Sequence, residues 1–187
     1  MEIKLNLAIL AALAVIWGSL SLVEAEDALD PRDARTHALL ELEDAYATRR
    51  DDPALAEELA RAYLEGDRPE LAVAALSSAT PSVLDDPAVG HQLSRAYERS
   101  GRVPDALATA STALARCARS LGSSHSNAVT AIPARRCSER TYSSIDVHQA
   151  ALRRMVEWGV TDPRRDPRTA RAYGLSVRAA RILSASR

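Results

Sequence analysis

Chemistry in this chain would have to come from two cysteines, four histidines and a short serine-rich stretch. Cys117 and Cys137 are too far apart to form the Cys-x-x-Cys unit that redox pairs and zinc sites use. Three readings of the pair stand: a structural disulfide, two free thiols, or a metal or redox centre. As a disulfide it would contribute about 3 kcal/mol by restricting the unfolded chain. No two of His37, His91, His125 and His148 fall at the spacing by which rings on one helix share a metal, and no His-Glu-x-x-His run occurs. Gly122-Ser123-Ser124-His125 has neither the Gly-x-Ser-x-Gly form nor the strand–turn–helix setting of a hydrolase nucleophile. There is no phosphate-binding loop. These side chains read as surface polarity. No catalytic set, metal site or cofactor pocket is expected, and the chain is read as a binding protein, not an enzyme.

The elements that would carry a binding surface are helices. Asp30-Pro31, Asp52-Pro53, Asp86-Pro87 and Asp166-Pro167 each join an N-cap carboxylate to a proline at the first helical position. Arg68-Pro69-Glu70 and Val103-Pro104-Asp105 start return helices after the turns at Gly66 and Gly101. Leu55, Leu59, Ala62 and Tyr63, then Ala72, Val73, Leu76 and Ala79, form apolar stripes at helical spacing. Phe is absent and aromatics are 4% of the chain, so Ala and Leu do most of the packing. Hydrophobic and charged fractions of 47% and 26% are those of a globular protein.

The same pattern returns after 34 residues, where Asp51-Asp52-Pro53-Ala54 recurs as Asp85-Asp86-Pro87-Ala88. Leu59, Arg61, Ala62 and Tyr63 match Leu93, Arg95, Ala96 and Tyr97. Ala72, Ser77 and Ala79 match Ala106, Ser111 and Ala113. This period, with small residues and tyrosine at these offsets, resembles the tetratricopeptide repeat. The resemblance covers two full repeats, from Asp52 to about Ala118. Ala38, Leu42 and Ala45 extend the register upstream, so 31–49 reads as an N-terminal half repeat. The expected fold is all-α: a short solenoid of helical hairpins over 30–118, an irregular connector over 119–144, and a degenerate C-terminal hairpin over 145–187.

The resemblance also implies a binding face. In tetratricopeptide proteins the inner surface of each first helix takes an extended peptide or a partner helix. On this register that surface is Glu57, Arg61, Leu64 and Glu65, then His91, Arg95, Glu98 and Arg99. Arg61 and Arg95 are equivalent, and two stacked guanidiniums could clamp a carboxylate. The alternative is that each arginine pairs with Glu57, Glu58 or Glu98 nearby. The Asn pair and Lys of the family's carboxylate-clamp members are not matched.

In the C-terminal hairpin, Ser144 is the expected cap of a helix running near Ile145 to Trp158, with Ile145, Leu152, Met155 and Val156 on its apolar side. A last helix is expected from Pro167 to about Leu183. Arg168, Arg171, Arg178 and Arg181 share one of its faces, which is either a solvated surface or a site for an acidic partner or anionic lipid. Charge is divided along the chain. Residues 26–110 hold 18 acids and nine arginines, and residues 111–187 hold five acids and 14 arginines. The halves either neutralise each other or offer a surface to a charged partner.

At the start, Leu5 to Val23 is almost wholly apolar, with Lys4 before it and acids after it. Val23-Glu24-Ala25 offers the small residues that a signal peptidase reads. Residues 1–25 are read as a signal peptide or an uncleaved membrane anchor through residues 5–23, with a buried core helix as the remaining alternative. Both membrane readings place the rest in the periplasm or on a membrane facing it. Nucleic acid is a poor fit, because no aromatics interleave with the basic residues. The sequence therefore implies an exported scaffold of bacterial type for a protein or peptide partner. The alternative is an anchored subunit whose basic last helix meets lipid or an acidic partner.

Overall fold

The structure, a computed structural model, describes residues 31–123 and 137–185. The signal or anchor segment, His125 and the middle of the connector lie outside the described residues. The chain divides into two compact units, Met1–Glu41 and Leu42–Arg187. Among the described residues every regular element is a helix: α1 (Pro31–Thr48), α2 (Pro53–Glu65), α3 (Pro69–Ser77), α4 (Pro81–Leu84), α5 (Pro87–Arg99), α6 (Val103–Ser123), α7 (Glu139–Glu157) and α8 (Arg168–Ala185). None of them is long and apolar enough to cross a membrane. In the first unit, His37 lies exposed on α1, 3.3 Å from Glu41.

Within the second unit the Asp-Pro caps work as the sequence predicts. Asp52 Oδ1 accepts from the Ala54 and Leu55 amides at 2.8 and 3.4 Å. Asp86 Oδ1 accepts from Ala88 and Val89 at 2.8 and 3.3 Å. The helix ends agree as closely. Arg68 N donates to Tyr63 O and Arg102 N to Tyr97 O, both at 2.8 Å, and Val160 N donates to Met155 O at 2.9 Å. This is the closure that satisfies the last carbonyls of a helix through a left-handed residue. The left-handed residues are Asp67, Gly101 and Gly159. Asp67, not Gly66, is the counterpart of Gly101, which puts the two turns in register. Asp tolerates this conformation better than most side chains.

Successive helices of this unit pack as α2 on α3, α5 on α6, α6 on α7 and α7 on α8, while α2, α5 and α7 also touch in series. Small residues allow this. A Cβ at Gly90 would lie 3.1 Å from that of Ala113 across the α5–α6 crossing. Buried Ser94 donates to the Ala106 carbonyl at 2.7 Å. Val103, Ala106, Ala110, Leu152, Met155 and Ala172 form the core between α6, α7 and α8.

Three expectations need correction. The connector is shorter than 119–144, because α6 continues to Ser123 and α7 begins at Glu139. The cap of α7 is Ser138, which accepts from Thr141 N at 3.0 Å, not Ser144. Val156 is 42% exposed, although Ile145, Leu152 and Met155 are buried as expected.

Cys117 and Cys137 are paired, with Cα atoms 5.2 Å apart. Ala113, Ile145, Leu114, Leu121 and Tyr142 enclose them. The pair joins the last third of α6 to the residue before the Ser138 cap. The two charge halves meet in places. Arg116 pairs with Asp85 at 2.7 Å and Arg164 with Asp67 at 3.1 Å.

Candidate functional site

A cleft of about 800 Å³ opens between α5 and the C-terminal hairpin. Four positions from α5 line it: His91, Arg95, Glu98 and Arg99. They follow helical spacing, so the helix that buries Val89, Gln92 and Ala96 behind it turns them all to the cleft. Facing them are Arg140, Ser143, Ser144, Val147 and His148 from α7. Pro163 and Arg164 come from the turn before α8, and Tyr173 from α8 itself.

Glu98 is the organising residue. It is 9% exposed, and a carboxylate at that depth needs donors. Tyr173 supplies its hydroxyl to both oxygens, at 2.9 and 2.8 Å. His148 Nε2 lies 3.1 Å from Oε2. Facing a carboxylate oxygen, Nε2 is placed to donate to it. His148 is 4% exposed, and its Nδ1 has no hydrogen-bond partner. Burial, and then the Glu98 charge, raise the Tyr173 phenol well above its usual range. The three side chains thus tie α5, α7 and α8 together.

His91 packs on this cluster with its ring 5.1 Å from that of His148. Burial, then His148 and Arg95, push its pKa down to about 3. It is therefore neutral near pH 7. The arginines differ in how far they are committed. Arg99 donates to the Leu64 carbonyl. Arg164 pairs with Asp67 at the rim. Arg95 reaches the neutral Gln92 amide at 3.3 Å. Arg140 is exposed and pairs with no acid among the described residues.

The site thus sets four guanidiniums against one carboxylate, Glu98, whose oxygens are already engaged. Such a surface attracts anions and opposes a bound cation. Among the described residues no three His, Cys, Asp or Glu side chains are grouped to hold a metal. Ser143 and Ser144 share the cleft with His148, but neither hydroxyl bonds to its Nδ1.

The expected inner-face residues separate into two groups. His91, Arg95, Glu98 and Arg99 come together in the cleft. Glu57, Arg61, Leu64 and Glu65 stay outside it. Arg61 Nη2 is held by Glu57 Oε1 at 2.6 Å, Leu64 is 2% exposed and Glu65 lies on the surface. Of the two readings of the paired arginines, the neighbouring-acid one describes Arg61. The reading of His91 and His148 as surface polarity is overturned, because His148 is buried and His91 half-buried against it in one cluster. Their meeting was not legible in the sequence: they stand far apart on different helices. On α8, Arg168 is bonded to Asp166 and to the Trp158 carbonyl, and Arg171 lies over the Trp158 ring at 5.8 Å. Arg178 and Arg181 lie exposed further along the helix.

No protein-family model, curated protein or solved structure matches this chain. The functional reading therefore rests on the geometry of the cleft.

Proposed function

We propose that this chain is an exported interaction scaffold of the tetratricopeptide type, which takes a peptide or a partner helix in the cleft between α5 and the C-terminal hairpin. The observation that carries this is the cleft itself. Its volume falls in the range of ligand-binding sites, and four of its walls are the α5 residues that the repeat register marks as a binding face. The matching caps of α2 and α5, and the matching closures after Tyr63 and Tyr97, support the repeat reading. The apolar stretch of residues 5–23 followed by Val23-Glu24-Ala25 supports export.

Random peptides selected on the full-length chain test the site. Binders should emerge whose retention is lost in Arg95→Ala and kept in Arg61→Ala. Binders indifferent to Arg95 would sink the cleft as the partner site.

A second reading is favoured by a separate feature. Arg171, Leu175, Arg178 and Ile182 form one outward stripe of α8, with Leu175 38% and Ile182 71% exposed. Basic and apolar side chains mixed on one helix face suit the surface of an anionic membrane. In this reading the chain is an anchored subunit whose last helix rests on lipid. Co-sedimentation with anionic vesicles, lost on changing Arg171 and Arg178 to Gln, is its expected signature.

A further inference from the structure

The cleft's chemistry names the kind of partner it fits. Arg95 and Arg99 are one helical turn apart on α5, Arg140 projects from the first turn of α7, and Arg164 borders the opening. Arg99 and Arg164 already have partners in Leu64 and Asp67. Among the described residues Arg95 and Arg140 have no acidic ones. Among the described lining residues the one carboxylate, Glu98, is bonded to Tyr173 and His148 and forms no ion pair with either arginine. His91 adds no acid and carries no charge near neutral pH. Guanidiniums thus stand on both sides of the cleft, and between them α7 and α8 supply rings and hydroxyls: Tyr173, His148, Ser143 and Ser144.

We infer that the partner segment is an acidic peptide, whose Asp or Glu side chains are gripped by Arg95 and Arg140. The inference rests on the cleft being the partner site. Guanidinium meets carboxylate through two parallel N–H bonds, a geometry that lysine cannot supply. Arg99 and Arg164, held by the protein, shape the walls of the groove and add to its field. Asp67, at the rim, is taken by Arg164.

The test is fluorescence anisotropy on the purified full-length chain. Labelled decapeptides carrying several Glu in varied spacing are titrated beside the same peptides with Gln. The Glu peptides should bind at least about tenfold more tightly, the worth of one charge-assisted contact. Their affinity should fall as salt is raised, because the cleft is open to solvent. Arg140→Gln, an exposed change that spares the core, should remove about tenfold of that affinity, and adding Arg95→Gln should remove more. Thermal unfolding of each variant checks that the fold is intact. Gln peptides binding as well as Glu peptides would overturn the acidic partner and leave the scaffold reading standing. Failure of every peptide, whatever its charge, would remove both. Displacement of the Glu peptide by an equal concentration of inorganic phosphate, or by anionic vesicles at equal headgroup concentration, would overturn the peptide in favour of a phosphate or a lipid surface.

Discussion

The first helices of the α2–α3 and α5–α6 hairpins begin with the same Asp-Pro cap and close with the same left-handed turn, yet of their two inner faces only that of α5 lines the cleft. The contrast is sharpest at Leu64 and Glu98, which occupy equivalent places as the next-to-last residues of α2 and α5. Both are buried, at 2% and 9% exposure. Leu64 needs nothing but packing. Glu98 is buried only because Tyr173 and His148 arrive from the C-terminal hairpin to bond it. A backbone plan used twice therefore does not fix what a position does. The residue that stacks against the next helix decides that, and the next pair of helices must be matched to it.

Swapping the character of these two positions breaks the comparison most severely. Leu64→Glu places a carboxylate in a site filled by an apolar side chain, and should cost about 4 kcal/mol in urea unfolding. Next in size is the Cys117–Cys137 bond, which ties the second hairpin to the start of α7 and has no counterpart in the first. Its removal, as Cys117→Ser with Cys137→Ser, should lower stability by about 3 kcal/mol in the same assay. Glu98→Leu should cost less, about 2 kcal/mol, by leaving Tyr173 and His148 without an acceptor. Adding Tyr173→Phe should return part of that loss, and failure to do so would deny the coupling.

A smaller effect tests the electrostatics of the second hairpin. Because the folded state holds His91 near pKa 3 against a usual 6.5, the unfolded chain binds the extra proton first. The contribution is full above about pH 6.5 and is lost as pH falls toward 3. Between pH 7 and pH 5.5 it should amount to about 1 kcal/mol. The groups around the ring are His148, Arg95, Glu98 and Tyr173. His91→Gln should flatten this part of the pH profile, and a profile unchanged by it would deny the shift. The smallest effect belongs to the first hairpin. Arg61→Ala removes an exposed pair with Glu57 and should change stability by no more than about 0.5 kcal/mol.

Local signals made most of the helices legible. Aspartate before proline marks a start wherever the side chain can reach two amides, and the structure shows that reach at Asp52 and Asp86. The turn after α2 was harder to read, because the sequence offers Gly66 where the chain uses Asp67. The start of α7 was harder still. Ser138, Ser143 and Ser144 are equally good caps by type, and packing of Tyr142 and Ile145 around the disulfide favours the earliest. The short α4 was missed because four residues leave no periodicity. Half of the candidate site followed from the register of α5. Its other half did not, since Arg140, His148, Arg164 and Tyr173 meet α5 only through tertiary packing.

The disulfide has a topological consequence. It fastens the chain on either side of residues 118–136, so the junction between α6 and α7 is set by sulfur and not by the length of peptide between them. A protease cut anywhere within that interval leaves one covalent molecule, which migrates whole until a thiol is added. Foreign sequence inserted there would hang from the scaffold as a closed ring, with the cleft unaware of its size.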